Sequence, residues 1–479
     1  MHCAQARDCR LKTGGNFCVD VRKEIGECGK VLRLVWPLAL GMANNAVMQF
    51  VDRVFLAQES ESSLKAVLPA AVLSFLFICS FQSLVSYSGV FVAQFHGARD
   101  RCGCFRSYFV GLALAAAALL CLCGLVHAGE PVFRLFAPAA ESDLVARENA
   151  YFTIVTPGGA ALCAMTAASG YFTGLGRTRL VFWVNLAGNL LNAGLDYVLI
   201  FGLGPVPAFG IAGAAAATVA SQAAQAAVLN FMALREWMRW RGSAEPGAQA
   251  QDGGFARLLW RVVRFGVPSA MYQLLNFLSF TIFVMLTDKI GGMELAVSNA
   301  CFTVNYLLIA PVEGFSIGAA TIVGQCKGAG DVHGAAKGAA RAIWLALAYA
   351  GIVSVLVLVF HDPVLRLFIA PDSGFSHDAF VSLGFTLFLL MSAWQLFDAA
   401  DVTLSGALKG AGDTLFVMLW MLVSSFLFWM PILFWTFYRF RSMAAIWSTM
   451  VAYVVFICVG SVLRWKFGHW RRIQLIAAH

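Results

Sequence analysis

The sequence predicts an all-α integral membrane protein, with twelve transmembrane helices in two six-helix bundles related by a pseudo-twofold axis along the membrane normal. Three observations lead there. Hydrophobic residues make up 60% of the 479 and charged residues only 13%, with a mean hydropathy of +0.74, whereas soluble domains carry about 25% charged residues. Most of the apolar runs exceed the roughly 20 residues needed to cross a bilayer as a helix. The second half of the chain also repeats the first.

The repeat rests on four anchors. Val92-Ala93-Gln94-Phe95-His96-Gly97-Ala98-Arg99-Asp100 reads against Val323-Gly324-Gln325-Cys326-Lys327-Gly328-Ala329-Gly330-Asp331, a shared V-[AG]-Q-x-x-G-A-x-D at an offset of 231. Trp36-Pro37 faces Val267-Pro268 at the same offset, EPVFRLFAP from Glu130 faces DPVLRLFIAP from Asp362, and SGYFTGLGRT from Ser169 faces SGALKGAGDT from Ser405. A long-period repeat in an apolar chain marks a transporter whose substrate path lies between two related bundles.

In chain order the expected spans are 31–57, 64–95, 105–127, 147–175, 180–203, 208–237, 257–289, 294–325, 336–360, 376–408, 414–438 and 441–466. Several are longer than the hydrocarbon requires, so tilted and protruding helices are expected. Six crossings per copy is an even number, so both copies enter from one side, which is what the axis along the membrane normal expresses.

Lys and Arg set the orientation, because they accumulate on cytoplasmic loops. The N-terminal tail and alternate loops carry 26 of the 34, the opposite loops carry 7, and Arg53 stands at a helix end. Both termini are therefore expected in the cytoplasm, in the plasma (inner) membrane. The net charge of +8 follows from this bias; anionic lipid headgroups account for it without a nucleic-acid partner. The division is a tail 1–30, an N-lobe 31–238, a linker 239–256, a C-lobe 257–466 and a tail 467–479. The first 30 residues are polar and basic, so no cleavable signal peptide is expected.

A charge near the bilayer centre costs at least about 2.5 to 3.5 kcal/mol, so intramembrane carboxylates are functional candidates. Asp52 lies toward the end of the first span in FVDRVF, Asp196 in the fifth, Asp398 and Asp401 in the tenth, and Glu313 in the eighth after Pro311. Asn192 and Asp196 are four apart and share a helix face. A carboxylate beside an amide binds a proton or a small cation; the alternative is that Asn189, Asn192 and Asp196 only bond between helices. Asp52 has its own alternative, an interfacial site neutralised by Arg53, and Asp398 and Asp401 the alternative of a helix-end or interhelical bond. For Glu313 the structural reading is preferred. Pro37 removes a backbone bond within the first helix and favours a bend, as a hinge or as a tolerated irregularity.

Other residues exclude chemistry. All eight histidines fall in expected loops, tails or helix ends, which argues against a redox carrier or an intramembrane protease. Gly314-Phe315-Ser316-Ile317-Gly318 spells a serine-nucleophile pattern but lies inside an expected helix instead of a strand-to-helix turn. Its small residues suit close helix packing, as does the run Ala212 to Ala217. The odd count of 13 cysteines, spread over helices and tail, implies no disulfide framework, and Cys102-x-Cys104 lacks a second pair for zinc. The 40 Phe supply aromatic surface, and a subset lining a central cavity would suit bulky apolar cations.

FVDRVFLA, VAQFHGARD, GYFTGLGRT, NAGLDYVLIFG, GIAGAAAAT, VGQCKGAGD and LSGALKGAGDT, from about residue 30 to 466, together resemble the multidrug and toxic compound extrusion (MATE) family. The resemblance implies a twelve-helix antiporter that exports small organic cations, driven by H+ or Na+, from a V-shaped opening between two lobes. By matching position it implies an N-lobe cation site at Asp52, Asn192, Asp196 and Thr218, with Pro37 as a bend that responds to protonation. In the C-lobe, Asp398 matches the aspartate of the sodium-coupled branch and Asp401 stands beside it, but Asn276 takes the place of that branch's seventh-helix glutamate. The coupling ion is left open between H+ and Na+, with protons favoured. No cofactor and no metal other than Na+ at Asp52, Asn192 and Asp196 is expected, and a monomer in the lipid bilayer is.

The nearest rival is a lipid-linked oligosaccharide flippase. Such a protein lines its cavity with basic residues for pyrophosphate, and no Lys or Arg is read as lying deep in a helix here. A membrane-embedded enzyme would need a buried His or metal cluster, and a channel or receptor fits the two-copy arrangement of acids less well.

Overall fold

The computed structural model describes residues 13–59, 61–136, 142–243, 254–369 and 376–476. The expected linker therefore lies largely outside the described residues, as do the first twelve positions of the N-terminal tail and the last three of the C-terminal one.

The elements are helical throughout, apart from one isolated bridge between Leu203 and Val206. The first half comprises α1 (Thr13–Glu59), α2 (Glu61–Gly97), α3 (Arg101–Leu125), the short α4 (Gly129–Phe136), α5 (Ser142–Gly174), α6 (Thr178–Phe201) and α7 (Gly210–Ser243). The second comprises α8 (Phe255–Asp288), α9 (Gly292–Gly328), α10 (Val332–Val359), the short α11 (His361–Arg366), α12 (His377–Ala411), α13 (Thr414–Leu422), α14 (Met430–Phe440) and α15 (Met443–Phe467). A π-helical turn, Val423–Trp429, joins α13 to α14 as one crossing.

Among the described residues twelve helices are long and apolar enough to cross a membrane, from Cys28–Leu56 to Met443–Phe467. They fall within a few residues of the expected spans. The main difference is α1, whose helix begins at Thr13 and so continues well into the basic tail before its apolar stretch starts. Lys23 to Lys30 holds no proline, and the helix runs through Gly26 and Gly29 despite their low propensity.

Apolar side chains sort these helices into two cores. One gathers Phe91, Tyr108, Tyr171 and Phe172 of the first half, with Phe152 in a small satellite cluster beside Ala70, Phe133 and Val145. The other gathers Phe283, Phe388, Trp429 and Trp447 of the second. Two elements cross between them: Val31, Val35 and Ala39 of α1 join the second core, and Leu258 and Val262 of α8 join the first. The exchange is symmetric, since α1 and α8 are repeat equivalents carrying Pro37 and Pro268. Both helices run through their prolines without interruption.

Glycine makes the α1–α9 seam. A side chain on Gly314 would meet the backbone of Ala39, and one on Gly318 would run into Val35. The GFSIG run is thus helical packing surface, and Ser316 spends its hydroxyl on Val402 O at 2.8 Å.

The repeated aspartates close the motif that contains them. Asp100 accepts from Gly103 N at 2.9 Å and Asp331 from Gly334 N at 2.7 Å, capping α3 and α10. The residue before each sits in the left-handed region, Arg99 at φ 60° and Gly330 at φ 76°.

Candidate functional site

The two halves each present a cluster of acids, and the first is the better defined. α6 turns Asn192 and Asp196 to the interior, where Asp196 is fully buried. Asn192 Nδ2 donates to Asp196 Oδ2 at 2.7 Å, so the i, i+4 spacing gives the pair expected of it. Asp52 reaches in from α1, half-buried, to within hydrogen-bonding reach of Asp196. Neither Asp52 Oδ1 nor Asp196 Oδ1 has a donor, although both are shielded from solvent. Two ionised carboxylates cannot satisfy one another, because each only accepts; a proton or a cation between them resolves the conflict.

The surroundings hold this geometry. Asn189 Nδ2 donates to Asn45 Oδ1 at 2.9 Å, tying α6 to α1 two turns from Asp196. Arg53 turns outward, its guanidinium 5.9 Å from the Tyr306 ring across the halves, while Gln49 accepts from the Tyr306 hydroxyl at 2.6 Å. Tyr151 of α5 lies within electrostatic range of both acids. Thr218 donates its hydroxyl to Ala214 O in its own helix at 3.0 Å, with no hydrogen bond to either acid among the described residues.

The second cluster gathers Glu313 of α9, Asp398 and Asp401 of α12, Tyr272 of α8 and Lys409 of α12, each within electrostatic range of several others. Asp401 is buried beside Ser461, with Oδ1 unpaired. Glu313 is accessible to solvent and yet has protein around it, as a side chain lining a cleft does. Asn276 is half-buried on α8 and makes no side-chain hydrogen bond among the described residues.

Lys409 corrects the sequence reading. Expected just past the tenth span, it lies inside α12, with its ammonium 3.7 Å from the centre of the Tyr272 ring. One basic side chain therefore does reach the acids of the second half. Glu313, read as structural, belongs to the same cluster. The sequence held a signal for the lysine: the aligned position in the first copy is Thr173, so the repeat breaks its symmetry there with a charge.

Two repeated helical bundles, meeting along α1–α9 and α2–α8, with Asp52 on α1 and Glu313 on α9, define a membrane transporter of the two-lobe kind. The chain belongs to the MatE family, whose model matches residues 37–198 and again 268–435. The two matches begin 231 residues apart, the offset of the internal repeat.

Among curated relatives, the multidrug resistance protein PmpM of Pseudomonas aeruginosa is 28% identical over 85% of this chain and 82% of its own length. The probable multidrug resistance protein NorM of Thermotoga maritima is 25% identical over 77% of this chain and 75% of its own. Solved structures agree on the fold. An outward-facing multidrug resistance MATE transporter of the MOP superfamily superposes with a TM-score of 0.78 at 18% identity, covering 91% of this chain and 94% of its own. A MOP superfamily transporter from Pyrococcus furiosus, described as having a binding pocket of reverse polarity, gives 0.78 at 18% identity, covering 92% and 95%. The protein is thus a transmembrane MATE multidrug efflux transporter by family, and a flippase is not favoured.

Proposed function

We propose that this transporter exports small organic cations in exchange for H+ or Na+, with Asp52, Asn192 and Asp196 as the coupling site. The observation that carries the reading is the facing pair Asp52 and Asp196, each with an oxygen that is buried and without a donor. Such a pair has an affinity for one positive charge that the rest of the protein leaves unsatisfied, and the Asn192 amide fixes which Asp196 oxygen is left for it. Thr218 stands on the adjacent helix as a further oxygen donor once its hydroxyl turns. Pro37, in the helix that carries Asp52, is where α1 lacks a backbone bond and so bends at least cost.

Filling the site changes the charge that α1 and α6 present to each other, and with it the packing of the N-lobe. One charge entering down 100 mV supplies about 2.3 kcal/mol. Since a tenfold gradient corresponds to about 1.4 kcal/mol, one ion sustains roughly a forty-fold gradient of a neutral solute. A cation moving outward against the same potential is held at a smaller ratio. Protons are the favoured ion, because two carboxyls with a single amide supply few ligands for Na+, which prefers several oxygens.

The acidic second cluster, with Glu313 in the cleft, suits a cationic cargo by charge, and Tyr272 adds a ring face. The bias of Lys and Arg supports both termini lying in the cytoplasm, and the reading is completed by a monomer in the plasma (inner) membrane.

The test is export of a fluorescent organic cation from proteoliposomes under an imposed pH gradient and, separately, an imposed sodium gradient. A proton-coupled protein concentrates the dye under the first alone. Asp52→Asn and Asp196→Asn should abolish uphill export while both variants remain folded; full activity in both would refute the site.

A further inference from the structure

The repeated V-[AG]-Q-x-x-G-A-x-D motif makes a pair of matched bonds between the two halves. Gln94 Nε2, from α2, donates to Gly410 O near the end of α12 at 3.1 Å, and the contact is buried. Gln325 Nε2, from α9, donates to Gly174 O at the end of α5 at 2.8 Å. Donors and acceptors are both repeat equivalents: Gln94 aligns with Gln325, and Gly174 with Gly410. Each bond is therefore the pseudo-twofold image of the other, and each runs from one half to the other.

The motif glycines bring the backbones close enough for this. A Cβ on Gly97 would strike Gln325 O, and a Cβ on Gly328 would strike Gln94 O. Only glycine permits that approach at both places. The acceptors are suited to it as well, since the last carbonyls of a helix have no partner within it. The turns after α5 and α12 bond to other carbonyls, among them Tyr171 O, Phe172 O and Thr173 O in one and Leu408 O and Lys409 O in the other, and leave Gly174 O and Gly410 O to the glutamines. Tyr87 adds a bond from its hydroxyl to Lys409 O at 3.0 Å. At the opposite end of the helices the bond between halves from Tyr306 to Gln49 is exposed to solvent.

We propose that Gln94 and Gln325 are the two parts of a latch that holds the halves together at the end bearing the basic loops, and that opening the cleft at that end requires both to release. They act as positioning residues, not as cargo ligands. The idea rests on the exchange function proposed above, carried out by alternating access with the cleft opening to one side at a time, but not on which ion or cargo is used. A rocking of the two halves that opens this end, with each half tilting as the pseudo-twofold image of the other, separates both donor–acceptor pairs at once. The contributions should then multiply: each lost bond shifts the closed-to-open ratio by about fivefold, which is what a net hydrogen bond of about 1 kcal/mol amounts to.

The test uses the full-length protein in nanodiscs, without drug or ion gradient, with spin labels on genetically encoded unnatural residues at Arg101 and His333. Both positions are exposed at the starts of α3 and α10 and belong to opposite halves. Gln94→Met and Gln325→Met keep the side-chain shape and remove the donor. Each single variant should raise the long-distance population about fivefold and to the same extent, and the double variant by the product. An unchanged distance distribution in both singles, or a shift in one of them alone, overturns the latch. Each single keeps one bond, so the comparison survives if the double variant fails to fold. Unshifted distances alongside intact transport would sink the latch and leave the proposed function standing; shifted distances without coupled transport would do the reverse.

Discussion

Asn192 holds Asp196 by a 2.7 Å bond from its amide to one carboxylate oxygen, while the other oxygen is buried without any donor. One helix turn thus supplies a half-satisfied acid, and α1 brings Asp52 to it. The amide cannot neutralise the charge; it can only orient it. That division of labour separates what Asn192 does from what a coupling ion does.

Replacing Asn192 by Leu should therefore damage stability and coupling together. The orphaned Asp196 Oδ2 costs about 1 to 3 kcal/mol when a buried acceptor loses its donor. The expected outcome is a lower melting temperature in detergent, with the deficit narrowed when Asp196→Asn is added, because the charge needing the donor is then gone. A deficit that the second substitution deepens would count against this account.

Lys409 places a positive charge among the acids that otherwise suit a cation. Two charges about 10 Å apart at an effective dielectric of 20 interact by about 1 to 2 kcal/mol. Lys409→Met should accordingly tighten binding of an organic cation by roughly fivefold to thirtyfold, and leave a zwitterion of similar size nearly unaffected. Equilibrium binding of the two compounds to wild type and variant checks it.

The repeated caps offer a matched pair outside the apolar spans' centres. Asp100→Ala and Asp331→Ala each remove one side-chain acceptor from a helix start. Each should cost about 1 kcal/mol, and the two should cost about the same. Thermal unfolding of the single variants is the measurement; Asn at either position should restore most of the loss.

Much of the fold was legible because its determinants are local. Apolar length fixes which segments span, and the charge bias separates the two ends. The i, i+4 spacing put Asn192 and Asp196 on one helix face, since neighbours on one helix need no tertiary information, while the bond between them is what the structure adds. The repeat was legible too, although its purpose was not: in sequence, Gln94 and Gln325 are only two matching letters. Glu313 shows the opposite case. It was read as structural because the chain does not say which face of α9 meets the cleft.

The sequence by itself determined the class of protein, the twelve helices, the doubled architecture and the acids worth watching, because burial in lipid constrains composition and length directly. Tertiary structure alone decided that Asp52 meets Asp196, that Lys409 turns toward Tyr272, and that Gln94 and Gln325 each reach a carbonyl of the other half. Those contacts join residues more than a hundred positions apart, and their partners are set by how helices rotate and pack, which depends on side-chain shape across the whole seam and not on any local pattern.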